Sequence, residues 1–135
     1  MGYLTREPID VGTLVAELAD SGRGGTVAFV GSVRRSEADG PVTAIDYSAY
    51  EPMAAEECDR IVAEALARWP DAGVRVQHRL GRVPVGEPSI AVVAAAPHRA
   101  EAFAACRHVI EEAKKRLPVW KRELLEDGAA RWREE

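Results

Sequence analysis

The chain has 135 residues, a formal net charge of −4 and 47% hydrophobic residues, a composition that predicts a single domain over residues 1–135. The acidic balance argues against a general nucleic-acid-binding protein. No apolar run reaches the roughly 18 residues of a membrane-spanning helix, and the N-terminus lacks the basic and apolar segments of a signal peptide. The cytoplasm is therefore the expected location.

Changes in hydrophobic period along the chain predict alternating helices and strands. In chain order, the pattern predicts helix Val11–Asp20 with Asp10 as its N-cap, strand Gly25–Val33, polar loop Arg34–Gly40, strand Val42–Tyr50 and helix Met53–Trp69. It continues with strand Val74–Val83, turn Pro84–Pro88, strand Ser89–Ala96, helix His98–Arg116 and short strand Val119–Leu125. Paired strands joined by turns, with helices between them, indicate an α+β domain with a largely antiparallel sheet and three main helices.

The helix predicted over His98–Arg116 carries a line of cations beside its apolar stripe. The stripe is expected to contain Phe103, Cys106, Ile110, Ala113 and Leu117. At about 100° per residue, Arg99, Arg107 and Lys114 lie along one edge of this stripe, whereas Lys115 and Arg116 point away. The first turn also offers free backbone N–H groups to an anion. The alternative is that the arginines are ordinary solvent-facing side chains.

All three lysines, Lys114, Lys115 and Lys121, fall within eight positions, whereas fifteen arginines carry the remaining positive charge. Lysine can lose its proton when it is desolvated, but arginine is a permanent cation. Partial burial beside the stripe favours Lys114 over Lys115 as a functional amine. Because Pro118 turns the chain off the helix, Lys121 is expected to fold back near Lys114, with Trp120 facing the other side as an anchor.

Other features of the sequence are less specific. The segment from His98 to Arg122 holds seven Lys or Arg and three Glu, a net +4 that suits a small anionic ligand or an acidic peptide tail. Arg34 and Arg35 form a possible phosphate clamp, and His78–Arg79 in a strand favours a structural role. Cys58 and Cys106 lie on apolar helix faces and are predicted to be buried thiols, without a metal-binding or disulfide pattern. Hydrolase, P-loop and dinucleotide-binding motifs are missing.

A series of short motifs from about residue 24 to Trp132 resembles the large, catalytic subunit of molybdopterin synthase. These motifs are Phe29-Val30-Gly31-Ser32-Val33-Arg34, Tyr47-Ser48-Ala49-Tyr50, Arg68-Trp69-Pro70, His78-Arg79-Leu80-Gly81, Val85-Gly86-Glu87, Ala96-Pro97-His98-Arg99 and Pro118-Val119-Trp120-Lys121-Arg122-Glu123. Each motif alone is weak, but their order and spacing together are specific. The family usually has Glu where this chain has Ser48.

The resemblance implies an α/β hammerhead-type fold and a homodimer that binds one small ubiquitin-like subunit at each end, giving a heterotetramer. It implies sulfur transfer from the small subunit's C-terminal thiocarboxylate to cyclic pyranopterin monophosphate, which forms the dithiolene of molybdopterin. By position, Lys114 and Lys121 would be catalytic, and Arg34, His98 and Arg99 would bind substrate. No metal or organic cofactor is expected for these steps. The alternative function is a non-enzymatic regulatory module that binds an anion or an acidic peptide.

Overall fold

A computed structural model describes residues 2–35 and 41–133 of the chain. In chain order the elements are β1 (Leu4–Thr5), α1 (Val11–Glu17), β2 (Gly25–Ser32), β3 (Val42–Ala49), α2 (Glu51–Arg68), β4 (Gly73–Arg79), β5 (Gly81–Pro84), β6 (Pro88–Ala96), α3 (Arg99–Arg116), β7 (Val119–Leu125) and β8 (Ala130–Arg133). Within the described ranges the predicted α+β class with three helices is confirmed. Residues 36–40 of the predicted polar loop lie outside the described residues.

The strands form two four-stranded sheets instead of the one largely antiparallel sheet expected from the sequence. Sheet 1 has the order β1-β4-β6-β2, and sheet 2 has the order β5-β3-β7-β8. Neighbouring strands are antiparallel except β1, which runs parallel to the end of β4. The short strands β1 and β8 were not predicted, because segments of two and four residues are too short to show a period.

Sheet 1 is covered by helices on both faces. Helices α2 and α3 pack on one face through small and branched side chains, and α1 packs on the other through Leu14 and Leu18. Strand β6 lies between β4 and β2 and is buried from Ser89 to Ala96. Its uninterrupted apolar run follows from having helices on both sides. The side chain of Asp10 accepts a hydrogen bond from the backbone N–H of Thr13, which confirms the predicted N-cap of α1.

The predicted strand over Val74–Val83 is divided between the two sheets. Strand β4 ends at Arg79 in sheet 1, and β5 begins at Gly81 in sheet 2. Gly81 has φ of 87°, a conformation that only glycine adopts at little cost, so the chain changes direction there. Buried and more exposed side chains alternate from Val74 to Leu80, which is why the sequence pattern alone predicted one strand. After Gly81 the alternation shifts by one position, with Arg82 exposed and Val83 buried.

The predicted apolar stripe of α3 is wrong at Phe103, whose side chain is 60% exposed. The buried residues of α3 are smaller: Ala102, Ala105, Cys106, Val109 and Ala113. Small side chains let the helix approach β6, which is itself rich in alanine. Phe103 lies one position, about 100°, away from the buried Ala102 and projects from the surface. In the part of the chain that the structure describes, no helix is long and apolar enough to cross a membrane.

Candidate active site

A cavity of about 200 Å³ brings together Arg34, Lys114 and Lys121. These three residues come from three separate segments: the loop after β2, the last turn of α3, and β7. Tyr47, Glu123 and Arg133 also line the cavity. Two lysines and two arginines around one small space form a site suited to a ligand with more than one negative charge.

The end of α3 and the start of β7 place the two lysines on the same cavity. Leu117 leaves the helix in an extended conformation, and Pro118 follows, so the chain reverses onto β3. Lys121 is then directly opposite Tyr47 in the antiparallel register of β7 and β3. The predicted proximity of Lys114 and Lys121 is therefore supported by the fold, in that both line this cavity.

The three lysines differ in their surroundings. Lys121 is half-buried, whereas Lys114 is exposed, so the partial burial expected for Lys114 is not found. Ala113 is the buried residue of this last helical turn, whereas the neighbouring Lys114 side chain lines the cavity. Lys115 points away from the cavity, as predicted; its amine is 3.5 Å from a carboxylate oxygen of Glu112, and its side chain is 70% exposed.

Glu123 is a buried carboxylate that the sequence analysis did not assign to the site. It is 6% exposed, accepts a hydrogen bond of 2.8 Å from Arg131 Nε and lies 3.7 Å from Arg133 Nη1. Its position two residues after Lys121 in β7 puts both side chains on one face of the strand. The two-residue spacing from Lys121 was the only sign in the sequence that Glu123 belongs to the site. It could be used only after the structure showed that β7 borders a cavity.

Arg34 and Arg35 do not form a joint clamp. Arg34 lines the cavity and is exposed, whereas Arg35 Nη2 binds Glu126 Oε2 at 3.1 Å. Successive residues in an extended segment point in opposite directions, which separates the two guanidinium groups. Of the two arginines, only Arg34 lines the cavity.

His98 and Arg99 lie at the opposite end of α3 from Lys114. Lys114 follows Arg99 by fifteen positions along the helix, a distance of about 22 Å at 1.5 Å per residue. Both side chains are exposed, and His98 borders a second cavity, of about 430 Å³, together with Trp69 and Glu101. A single chain therefore does not bring His98 and Arg99 to the lysines. Arg107, between them on α3, is paired with Glu111 at 2.9 Å.

The expected anchor, Trp120, does not pack into the core of this chain. It is 51% exposed on the outer face of sheet 2, opposite Ser48 in the register of β7 and β3. Alternation along β7 was predicted correctly, since Lys121 faces the cavity and Trp120 faces away. Trp120 therefore lies on the predicted face of β7, but about half of its surface stays exposed in the single chain.

The two cysteines are buried, as predicted. Cys58 and Cys106 are 2% and 4% exposed, and both thiols are free. Burial raises the pKa of the Cys58 thiol to about 12 and also raises the pKa of the Cys106 thiol. Neither residue lines the cavity that holds Lys114 and Lys121. A protonated, buried thiol is a poor nucleophile.

The two-sheet α+β fold is that of a known family. The MoaE protein family matches residues 4–116, and the chain belongs to this family. The chain is 43% identical over 122 residues to the molybdopterin synthase catalytic subunit of Pyrococcus abyssi. The matched segment covers 90% of this chain and 82% of that relative. It is 41% identical over 133 residues to the protein of the same name from Drosophila willistoni, covering 97% of this chain but spanning only 36% of that longer relative.

Solved structures of molybdopterin synthase proteins have the same fold as this chain. The crystal structure of molybdopterin synthase from Staphylococcus aureus superimposes with a TM-score of 0.94 at 28% identity, covering 99% of this chain and 97% of that chain. A chain in a complex of subunits 1 and 2 of the molybdopterin-converting factor from Helicobacter pylori superimposes with a TM-score of 0.82, covering 98% of this chain and 89% of that chain. At 21% identity, this second match shows the fold alone.

Proposed function

We propose that this chain catalyses the sulfur transfer of a molybdopterin synthase. In this reaction, sulfur passes from the C-terminal thiocarboxylate of a small ubiquitin-like subunit to cyclic pyranopterin monophosphate, forming the molybdopterin dithiolene. One observation carries the proposal: Lys114, Lys121 and Arg34 line one cavity, although they come from distant segments. The names of the curated relatives support it, because both relatives are molybdopterin synthase catalytic subunits.

The charges in the cavity match the two anions of this reaction. Arg34 would bind the phosphate of the pterin, because a guanidinium group donates several hydrogen bonds to phosphate oxygens. Lys114 and Lys121 would meet the thiocarboxylate and act as proton donor, base or transient acyl acceptor. A cavity of about 200 Å³ admits a slim extended tail but not a folded domain, so the body of the small subunit would dock outside it.

A second copy of the chain would supply the remaining substrate-binding residues. His98 and Arg99 are about 22 Å from Lys114 along α3, so they serve this cavity only if they come from another molecule. Strand β2 is one of the two edge strands of sheet 1. Phe29 and Val30 in β2 and Phe103 in α3, the helix that packs on β2, are 40%, 39% and 60% exposed. An exposed apolar strand edge of this kind favours pairing with a second copy.

Antiparallel pairing of β2 with β2 of a second copy would also bring the start of α3 of one copy close to Arg34 of the other. A two-fold axis near the middle of β2 would place the Gly25 end of one copy beside the Ser32 end of the other. A Cβ at Gly25 would lie 3.2 Å from Arg99 Cα, so that end of β2 carries the start of α3 with it. The Ser32 end leads directly to Arg34. We therefore propose a homodimer in which His98 and Arg99 of each copy complete the other copy's cavity, within a heterotetramer with two small subunits.

The cytoplasm stays the proposed location of this enzyme. Cys58 and Cys106 are both free thiols, as expected in a reducing compartment. The competing proposal is a regulatory module that binds an anion or acidic peptide without turnover, and the cationic cavity alone would also serve that function.

Reconstitution separates the two functions. The purified chain is mixed with thiocarboxylated small subunit and cyclic pyranopterin monophosphate, and molybdopterin is measured. Product formation that requires the thiocarboxylate, and that survives Lys115→Ala but not Lys114→Ala, is the expected result. Tight binding of the small subunit and the pterin without any product would favour the regulatory module instead.

A further inference from the structure

Two buried polar side chains, Tyr47 and His78, lie next to the two lysines of the cavity. Tyr47 on β3 is 6% exposed and His78 on β4 is 7% exposed. Their ring centroids are 5.0 Å apart with an interplanar angle of 73°, an edge-to-face contact between the two sheets. Polar groups are costly to bury, so a buried pair of this kind calls for an explanation beyond filling space. The position of His78 in a strand had favoured a structural role.

Tyr47 borders Lys121. The two residues are direct partners in the register of β3 and β7, and both side chains line the cavity. Directly opposed residues in an antiparallel pair have Cβ atoms about 5 Å apart, which is within reach of a tyrosine ring or hydroxyl group. On the other side of Lys121, the register partner is Arg133 of β8. The aromatic ring and the guanidinium group therefore limit the conformations available to the Lys121 side chain.

His78 borders Lys114. Both residues line a narrow cleft beside the main cavity, together with Ala113 and Leu117 from α3. His78 Nδ1 lies 2.8 Å from the backbone carbonyl oxygen of Arg79. A carbonyl oxygen only accepts, so Nδ1 carries a proton and donates, and Nε2 is then the ring nitrogen that can accept a hydrogen bond. A lysine ammonium has three donors and no acceptor, and it is therefore complementary to this nitrogen.

We propose that His78 and Tyr47 are positioning residues that hold the two lysine amines at a fixed separation. His78 accepts a hydrogen bond from Lys114 through Nε2, Tyr47 restrains Lys121, and the edge contact between the rings couples the two. The proposal rests on the assignment of Lys114 and Lys121 as the reacting amines. Fixing two long, flexible side chains in advance lowers the entropy lost when the thiocarboxylate and the pterin come together.

The surroundings of each lysine amine can be measured directly by NMR, because the chain contains only three lysines. Labelling the lysine side chains with ¹³C at Cε gives one NMR signal for each of Lys114, Lys115 and Lys121, and Lys115 serves as an internal control. His78→Asn keeps a donor at the δ position for the Arg79 carbonyl but removes the acceptor at the ε position, whereas His78→Gln places an amide at the ε position. We expect His78→Asn to shift the Lys114 signal, Tyr47→Phe to shift the Lys121 signal, and neither to move Lys115.

A matched control uses His108 of α3, a second histidine whose ring contacts an aromatic side chain. His108 is in edge contact with Trp69 at 5.9 Å and lies outside both the cavity and the cleft. We expect His108→Asn to leave the Lys114 and Lys121 signals in place. An unchanged Lys114 signal in a folded His78→Asn protein, or an equal shift in the His108→Asn protein, overturns the proposal.

Sulfur-transfer rates give the second readout. We expect His78→Asn and Tyr47→Phe to lower kcat about ten-fold or more with the Kd for the small subunit unchanged, because a misplaced reacting group slows chemistry more than binding. His78→Gln should recover most of the rate lost in His78→Asn. If Asn and Gln lower kcat equally and in proportion to a fall in Tm, His78 is only structural. If the wild-type chain makes no molybdopterin, the proposed function fails, whereas the lysine signals still decide the positioning role.

Discussion

Lys114 and Lys121 line the same cavity although one ends a helix and the other lies in a strand. Pro118, between them, stops α3 and sends the chain back along β3, and this reversal brings the two amines to one side of sheet 2. The two lysines share the cavity without deep burial of either side chain, since Lys114 is exposed and Lys121 is half-buried in the single chain.

Replacing Lys114 should abolish turnover without unfolding the chain. We expect Lys114→Ala to lower kcat by about 100-fold or more, the range typical for loss of an acid–base group, with Tm close to wild type. Lys114→Arg should fail as well, because arginine keeps the charge but does not release its proton. The control is Lys115→Ala, which should keep wild-type kcat. Near-normal turnover by Lys114→Arg would leave Lys114 only an electrostatic role.

Mixed dimers test whether the active site is shared between two copies. Lys114→Ala and Arg99→Ala should each be impaired alone. In a dimer that carries one copy of each, one site combines intact Lys114 with intact Arg99, so about half of the wild-type activity should return. Differently tagged copies purified in sequence provide this dimer. No recovery, with the dimer intact, would place each complete site within one chain or exclude Arg99 from the site.

The cysteines should be dispensable for sulfur transfer. We expect the double variant Cys58→Ala, Cys106→Ala to lose about 1–3 kcal/mol in its free energy of unfolding and to keep its activity. Denaturant titration measures the first quantity and molybdopterin formation the second. An inactive but folded double variant, together with a persulfide on either residue during turnover, would contradict a thiocarboxylate as the direct sulfur donor.

The buried thiol of Cys58 should also make stability depend on alkaline pH. Burial raises its pKa from 9.0 to about 12, so its contribution is fully present below pH 9 and is lost as pH rises toward 12. We expect the free energy of unfolding of the wild type to fall relative to Cys58→Ala between about pH 8 and about pH 10.5. Parallel curves for the two proteins would show that the thiol ionises equally in the folded and unfolded states.

Arg116 should stabilise the contact between α2 and α3. Its guanidinium group binds Glu57 at 2.6 Å and Glu64 at 2.7 Å, and hydrogen bonds from Arg116 lower the pKa of both carboxyl groups. We expect Arg116→Ala to lower Tm at neutral pH. Because the folded pKa values are depressed, the difference from wild type should shrink as pH falls below the ordinary glutamate value of 4.5.

The matched control for Arg116 is Arg107→Ala. Arg107 forms an exposed pair with Glu111 on α3 alone, and its side chain is 80% exposed. Exposed pairs of this kind contribute little, so Tm should hardly change. Equal losses for the two variants would show that joining two helices gives Arg116 no advantage over an exposed pair.

Hydrophobic periodicity predicted the three helices and most strands, because side chains repeat every 3.6 residues in a helix and every two in a strand. Asp10 as N-cap, the buried cysteines, and the opposite faces of Trp120 and Lys121 all depend on neighbours in the chain, and all were predicted correctly. The restriction of lysine to three positions indicated the amines of the candidate site. The single-domain assignment over residues 1–135 stays a prediction.

Only the tertiary structure decided which elements meet. Phe103 is exposed because alanines of α3 pack against the sheet in its place, which the spacing of the larger apolar residues did not reveal. The bend at Gly81 sends neighbouring residues into different sheets and sets His78 against Tyr47. The length of α3 separates His98 and Arg99 from Lys114. Local spacing fixes where a side chain points along its own element, but distances between elements depend on how their surfaces pack, and the cavity arises from that packing.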